Sequence, residues 1–255
     1  GSEMCIETAA LPLSETCNLL GYKLPFPVGA CVGRPVREID IKIIAPTDTP
    51  IATLADIREL PPGEIGEIIA TGPVVTQSYD ALPEATALAK IPEPSISVPN
   101  SQLSTLGSQL AAGPPAVWHR LGDCGYLDAA GRLWFCGRKA ERVTTAQGIL
   151  YTEPCEQVFR AHPRATRCAL IGLGSAPAQL PAIVIETVVR DSTEARALAR
   201  ELRALALAHP ATADIKRFFF HPKFPVDVRH NAKIHRLTLA KWAATAKGYA
   251  SDPKR

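Results

Sequence analysis

The sequence predicts an α+β protein in two parts, a β-rich stretch up to about residue 137 and a small α+β domain after it. Three observations carry that expectation. Apolar and charged residues alternate with period two early in the chain, strand-like and helix-like runs alternate after Arg138, and a segment rich in Pro, Ser and Gly interrupts the first part. With 255 residues, 46% of them apolar, the chain is long enough to bury sizeable cores.

Val36 to Ala45 alternates through Ile39, Ile41 and Ile43, which predicts a half-buried strand. A second strand is expected over Ile65 to Thr71 after the turn Pro61-Pro62-Gly63, and a short helix from Pro83, where Pro precedes good helix formers. Pro92 to Pro115 shows no periodicity and is expected to be a long loop. Leu121 to Leu127 and Arg132 to Gly137 predict a hairpin around Asp128 to Gly131, because Asp bonds its own downstream backbone and Gly accepts positive φ. Beyond Arg138, Thr152 is expected to cap a helix that ends before Pro163, and strands are expected at Cys168 to Gly172 and Ala182 to Val189. Leu198, Leu202 and Leu205 place a helix over Ser192 to His209; a strand at Ile215 to Phe220 and a helix at Leu237 to Ala246 complete the domain.

The formal charge of +3 comes from interspersed residues rather than from runs, so nothing points to nucleic acid and partners are expected among small molecules. No apolar run reaches the roughly 18 residues of a membrane span. Seven cysteines without a Cys-x-x-Cys spacing predict neither a zinc site nor a closed disulfide framework, and reduced thiols fit the cytoplasm. Gly1-Ser2 and the absence of an opening strand, loop and helix lead us to expect a fragment.

Two constellations could carry chemistry. Asp123, at the end of a strand beside Gly122, can accept hydrogen bonds from two neighbouring hydroxyls, as a ribose presents, or can serve the turn locally. Arg138, at the far end of the hairpin, offers fixed donors to ribose or phosphate oxygens. The second is Phe224-Pro-Val-Asp-Val-Arg-His-Asn-Ala-Lys233, where a loop lysine could meet a phosphate or simply be exposed. His119 could orient the loop carrying Asp123 or make a structural hydrogen bond, and Cys124 and Cys136 are expected to be buried small residues. His230 and His235 are wrongly spaced for a metal on a helix face, and no Gly-x-Ser-x-Gly elbow is present.

Taken together, Gly63-Glu-Ile-Gly-Glu-Ile68, Gly72-Pro-Val-Val-Thr-Gln-Ser-Tyr79, Pro83-Glu-Ala-Thr86, Leu121-Gly-Asp-Cys-Gly-Tyr-Leu-Asp128, Gly131-Arg-Leu-Trp-Phe-Cys-Gly-Arg138 and Asn231-Ala-Lys233 resemble consecutive motifs of the acyl-adenylate-forming (AMP-binding) ligase superfamily. The wording around His119, Leu133, Leu150 and Phe224 is similar to the olefin-biosynthesis β-lactone synthetases. The resemblance implies the end of a large, β-rich adenylation domain over residues 1–137, a hinge at 138–140 (Arg138, Lys139 and Ala140) and a mobile C-terminal domain over 141–255. It implies that Asp123 binds ribose, that Arg138 contacts ribose or α-phosphate, that Thr8 lies in the nucleotide-binding register, and that Lys233 is the catalytic lysine. ATP and Mg²⁺ are the implied cofactors, and a long-chain β-hydroxy fatty acid is the implied substrate. Its activated form would close to a β-lactone, and a thiolase-like enzyme and a reductase are the implied pathway partners.

Several positions depart from the family pattern. The Ser/Thr/Gly-rich phosphate loop is absent, Ala9 stands where the metal-binding glutamate is expected, and Glu7 is displaced from it. Ala140 replaces the usual hinge Asp or Lys, and Gly148 is followed by Ile149 rather than arginine. A fatty acyl-CoA or acyl-carrier ligase and a non-catalytic nucleotide- or partner-binding fragment are the alternatives, and the isolated chain is expected to be inactive.

Overall fold

The computed structural model describes residues 29–93, 116–227 and 233–250. The chain forms two compact units, Gly33–Leu133 and the residues from Trp134 onward together with those up to Val32.

After β1 (Ala30–Gly33), the first unit builds a sheet from β2 (Asp40–Ile44), β3 (Gly66–Thr71), β4 (Lys90–Pro92) and β5 (Val117–Leu127). β3 lies between β2 and β5 and is antiparallel to both, while β4 pairs with the start of β5. The strand predicted from Val36 begins only at Asp40, because the Ile39 amide donates to the Val36 carbonyl at 3.0 Å and closes a turn. Ile44, Ile69, Ile91 and Trp118 form the core of this unit. Among the described residues of this unit the one α-helix, α1 (Pro83–Ala89), starts where proline fixes φ, and Thr86 ties it down by donating to Leu82 O at 2.9 Å and accepting from Tyr79 N at 3.0 Å. The expected loop from Pro92 falls largely outside the described residues, but β5 starts at Val117, ahead of the predicted Leu121. At the predicted turn, Asp128 Oδ1 accepts from the amides of Ala130 and Arg132, each at 2.9 Å, and Gly131 adopts φ +73°.

β6 (Leu133–Arg138) follows and pairs with β1. A 3-10 turn at Lys139–Glu141 leads into β7 (Val143–Thr145) and β8 (Gly148–Leu150), an antiparallel hairpin that periodicity did not predict. Thr145 Oγ1 closes it by donating to Gly148 O at 2.9 Å. The main sheet of this unit has the order β12-β11-β10-β9, from β9 (Cys168–Leu173), β10 (Leu180–Glu186), β11 (Arg217–His221) and β12 (Tyr249–Ala250). The helix α2 (Thr152–Arg160) precedes β9; β10 and β11 are parallel, so the chain must cross over between them, and the next helix does so. α3 spans Ser192–Leu207 and α4 spans Arg236–Ala243.

Alternation along these strands sorts side chains onto two faces. Leu170, Ile183, Ile185 and Phe218 join Phe159, Leu198 and Leu202 of α2 and α3 in one core, where Phe159 meets Phe218 edge to face at 5.9 Å. Ala169, Ile171, Val184 and Phe219 face the other way and pack with Phe224, Ile234 and Leu239. Phe224 and Ile234, on either side of residues 228–232, both belong to that second group.

Several element ends differ from expectation. Thr152 does not cap α2: the cap position is Tyr151, and Thr152 is a buried first helical residue. A Cβ at Gly137 (φ +128°) would collide with Thr152 Oγ1, so only glycine lets the end of β6 lie this close to α2. β10 stops at Glu186, short of Val189, because Thr187 N turns to His221 O at 2.9 Å and Val188 O accepts from Arg164. α3 is capped by Asp191, whose Oδ1 accepts from Thr193 N and Glu194 N at 2.8 and 2.9 Å.

Candidate functional site

Asp123 owes its position to a bulge. Glu67 of β3 pairs with Cys124 and Ile69 with Arg120, so Leu121, Gly122 and Asp123 together face the single residue Ile68. Gly122 supplies the positive φ of +72° that such an insertion needs, and a bulge of this kind bends the strand and re-aims its side chains. Asp123 is half-buried at that bend.

A second carboxylate secures the same bend from beneath. Arg120 Nε and Nη2 reach the two oxygens of Glu67 at 3.0 and 2.8 Å, and both side chains are almost completely buried. The remaining donors of Arg120 go to the carbonyls of Thr47, Thr49 and Leu88. The pair therefore fixes β3 against β5 on one side of the bulge and draws in the neighbouring loop and α1. Sequence reasoning missed both residues; the available signal was a lone Glu inside the apolar run Gly66 to Ala70.

His119 makes a structural contact, its Nδ1 lying 3.1 Å from Ala89 O, with the Tyr79 ring edge-on. Burial, and then the charge of Lys90, push its imidazole below the usual range. Lys90 is itself buried, donates to Thr76 Oγ1 at 3.0 Å and lies over the Tyr79 ring; burial lowers its pKa. Cys124 and Cys136 are fully buried small residues.

In the other unit, Arg138 is exposed at the end of β6, and Lys139 and Ala140 begin the 3-10 turn. Arg142 Nη1 donates to Lys139 O at 2.7 Å and closes the turn. Lys233 is exposed, and its neighbours are stapled to the described residues before position 228. Val226 bridges Ile234, Asp227 N donates to Lys233 O at 3.1 Å, and His235 N donates to Pro225 O at 2.9 Å. Immediately beyond, Arg236 grips Glu156 through Nε and Nη2 at 2.8 and 2.9 Å and Glu141 through Nη1 at 2.9 Å. The fully buried Glu156 also accepts from Leu170 N at 2.9 Å and Arg160 Nη2 at 3.1 Å. Burial pushes its carboxyl up, and the hydrogen bonds and charge of Arg236 oppose that shift. Cys155, beside it, is pushed up to about 12 by burial, which makes it a poor nucleophile. Thus the structure links the Lys233 segment to the 3-10 turn at Lys139–Glu141 through neighbours that the sequence did not single out, while Asp123 is a residue of the other unit. Thr8, with Glu7 and Ala9, lies outside the described residues.

Among the described residues no cluster of His, Cys, Asp or Glu could hold a metal ion, and no helix is long and apolar enough to cross a membrane.

No protein-family model matches the chain. It is 47% identical over 216 residues to an olefin β-lactone synthetase of Stenotrophomonas maltophilia, which covers 85% of this chain and 36% of that protein. A second olefin β-lactone synthetase, from Xanthomonas campestris pv. campestris, is 42% identical over 247 residues, covering 96% of this chain and 41% of the relative. The chain thus spans about two fifths or less of the length of these curated relatives. The O-succinylbenzoate coenzyme A synthetase of Bacillus subtilis, solved with ATP and magnesium ion, superposes with a TM-score of 0.55 at 21% identity, over 82% of this chain and 35% of that one. The chain is homologous to the C-terminal part of the β-lactone synthetases and has the fold of that region of the adenylate-forming ligases.

Proposed function

We propose, taking homology to the C-terminal region of the adenylate-forming ligases as the premise, that this chain serves the ATP-dependent activation of a β-hydroxy fatty acid and its closure to a β-lactone. The 47% identity to the Stenotrophomonas synthetase carries this reading. In the first step a carboxylate oxygen attacks the α-phosphorus of ATP, and pyrophosphate leaves with the electrons of the broken P–O bond. Asp123 holds the ribose hydroxyls, Arg138 donates to ribose or α-phosphate oxygens, and Lys233 stabilises the negative charge that builds on the phosphoryl group. In the second step the β-hydroxyl oxygen attacks the acyl carbon and gives its proton to solvent, and AMP leaves with the electrons of the acyl C–O bond. An internal nucleophile makes CoA unnecessary.

Rotation about Arg138, Lys139 and Ala140 would bring Lys233 to the phosphate for the first step and withdraw it afterwards. Mg²⁺ would accompany ATP and offset phosphate charge; the described residues provide no ligand cluster for it. A thiolase-like condensing enzyme and a reductase are the classes of partner that would supply a β-hydroxy acid, in a cytoplasm that suits reduced cysteines such as Cys31, Cys155 and Cys168.

The test is incubation of the full-length protein with ATP, Mg²⁺ and a long-chain β-hydroxy acid, with and without CoA, followed by mass spectrometry. A product lighter than the substrate by one water, formed with AMP and without CoA, is expected. A thioester that appears only with CoA would instead assign an acyl-CoA ligase.

A further inference from the structure

We propose that Glu141, Arg236 and Glu156 act as positioning residues that carry rotation at the hinge to Lys233. The proposal rests on the reading of Lys233 as the lysine of the adenylation step. Three features of the geometry argue for it.

First, the chain of contacts is short at both ends. Glu141 directly follows Lys139 and Ala140, and Arg236 is three residues beyond Lys233. Its guanidinium spans the two, with Nη1 on Glu141 Oε2 at 2.9 Å and Nε and Nη2 on the two oxygens of Glu156. Second, the segment between Lys233 and Arg236 has little slack, because the Val226–Ile234 bridge, the Asp227–Lys233 bond and the His235–Pro225 bond hold its backbone, and Ile234 is buried in the core. A planar, two-pronged grip on Arg236 therefore fixes the backbone that ends at Lys233. Third, Glu141 is a carboxylate beyond the one that holds Arg236 with two prongs. Glu156 makes that grip from a fully buried site that it shares with Arg160, whereas the Glu141 side chain keeps 16% of its surface in water. What Glu141 adds is the connection to the hinge.

The same geometry separates this role from plain support of the fold. Loss of Glu141 leaves the buried Arg236–Glu156 pair and both cores intact but releases the hinge end of the relay. Hydrogen exchange in the full-length protein reads this directly: in Glu141→Ala, the amides of His235 and Arg236 should exchange faster, while those of α3 should stay at the wild-type rate. Glu141→Gln, which keeps the shape without the charge, should show the same change to a smaller extent, and it serves if the alanine variant does not fold. Unchanged exchange at His235 and Arg236 overturns the relay, whatever the activity.

The kinetic arm uses formation of acyl-AMP. Glu141→Ala should lower kcat about tenfold, in line with the cost of misplacing a reacting group by a fraction of an ångström to an ångström, with little change in KM for ATP. Introduced into Lys233→Ala, it should cause no further loss, since it acts only through Lys233. A full additional loss in that background overturns the relay but leaves Lys233 in place. A Lys233→Ala variant as fast as wild type overturns the adenylation reading itself.

Discussion

Glu67–Arg120 in one unit and Glu156–Arg236 in the other are both two-pronged carboxylate–guanidinium pairs with a fully buried glutamate, and each sits three residues from a proposed functional side chain. They differ in where the remaining donors go. Arg120 spends its own on the carbonyls of Thr47, Thr49 and Leu88, all within its own unit, so the pair closes on itself around the bulge that bears Asp123. Arg236 extends outward to Glu141 in the 3-10 turn proposed as the hinge, and Glu156 continues through Arg160 to Glu153 near the surface. A closed pair suits the ribose-binding role proposed for Asp123. An open one suits the movement proposed for Lys233, so the same side-chain chemistry can serve either role, depending on connectivity.

The largest effect that could break this comparison is on stability. Arg120→Met leaves Glu67 buried with no compensating charge and should cost about 3–5 kcal/mol, measured as a shift in the urea unfolding curve. Glu141→Ala, which removes a mostly buried carboxylate but leaves Arg236 its pair with Glu156, should cost about 2 kcal/mol in the same assay, as the loss of one hydrogen bond to a charged group does. Equal losses would erase the distinction between the closed and open pairs.

Next comes binding. Asp123→Ala should raise the KM for ATP about tenfold to a hundredfold, the value of hydrogen bonds to a charged acceptor, while the unfolding curve stays near wild type. A variant that unfolds early but binds ATP normally would show that Asp123 serves the bulge rather than a ligand.

Much of the second unit was legible in the sequence because local signals agree there with tertiary packing. The leucine spacing that predicts α3 is also the set that fills the core, and the stop at Pro210 matches a helix that ends at Leu207. The first unit was harder. Glu67 and Arg120 are 53 residues apart, and nothing local in either announces the other. The alternation that predicts a strand from Val36 continues through a turn, because a turn residue and a strand residue can carry the same side chain. Asp123 was singled out for its type and company, but the bulge that places it depends on the register between β3 and β5, which sequence periodicity cannot fix. Lys233 was likewise visible by motif, whereas the ion pairs behind it join residues 80 and 95 positions apart.

The smallest predicted effect concerns pH in the first unit. Burial and the neighbouring charge of Lys90 depress the folded-state pKa of His119 below its ordinary value of 6.5, so the folded state favours the neutral ring. The resulting stability is present above that ordinary value and is lost as pH falls through the depressed one. His119→Asn, which can still donate to Ala89 O, should show a shallower fall in thermal stability between neutral and mildly acidic pH. An unchanged slope would place the pH dependence elsewhere.

The most direct test of the central claim is exchange of labelled pyrophosphate into ATP, dependent on a long-chain β-hydroxy acid, in the full-length protein and its Lys233→Ala variant. Exchange should be readily measured in the wild type and slowed about 10²- to 10³-fold by the substitution, with ATP binding nearly unchanged, because the lysine acts on charge that develops in the transition state. Equal exchange in the two proteins, or a loss explained entirely by weaker ATP binding, would contradict it.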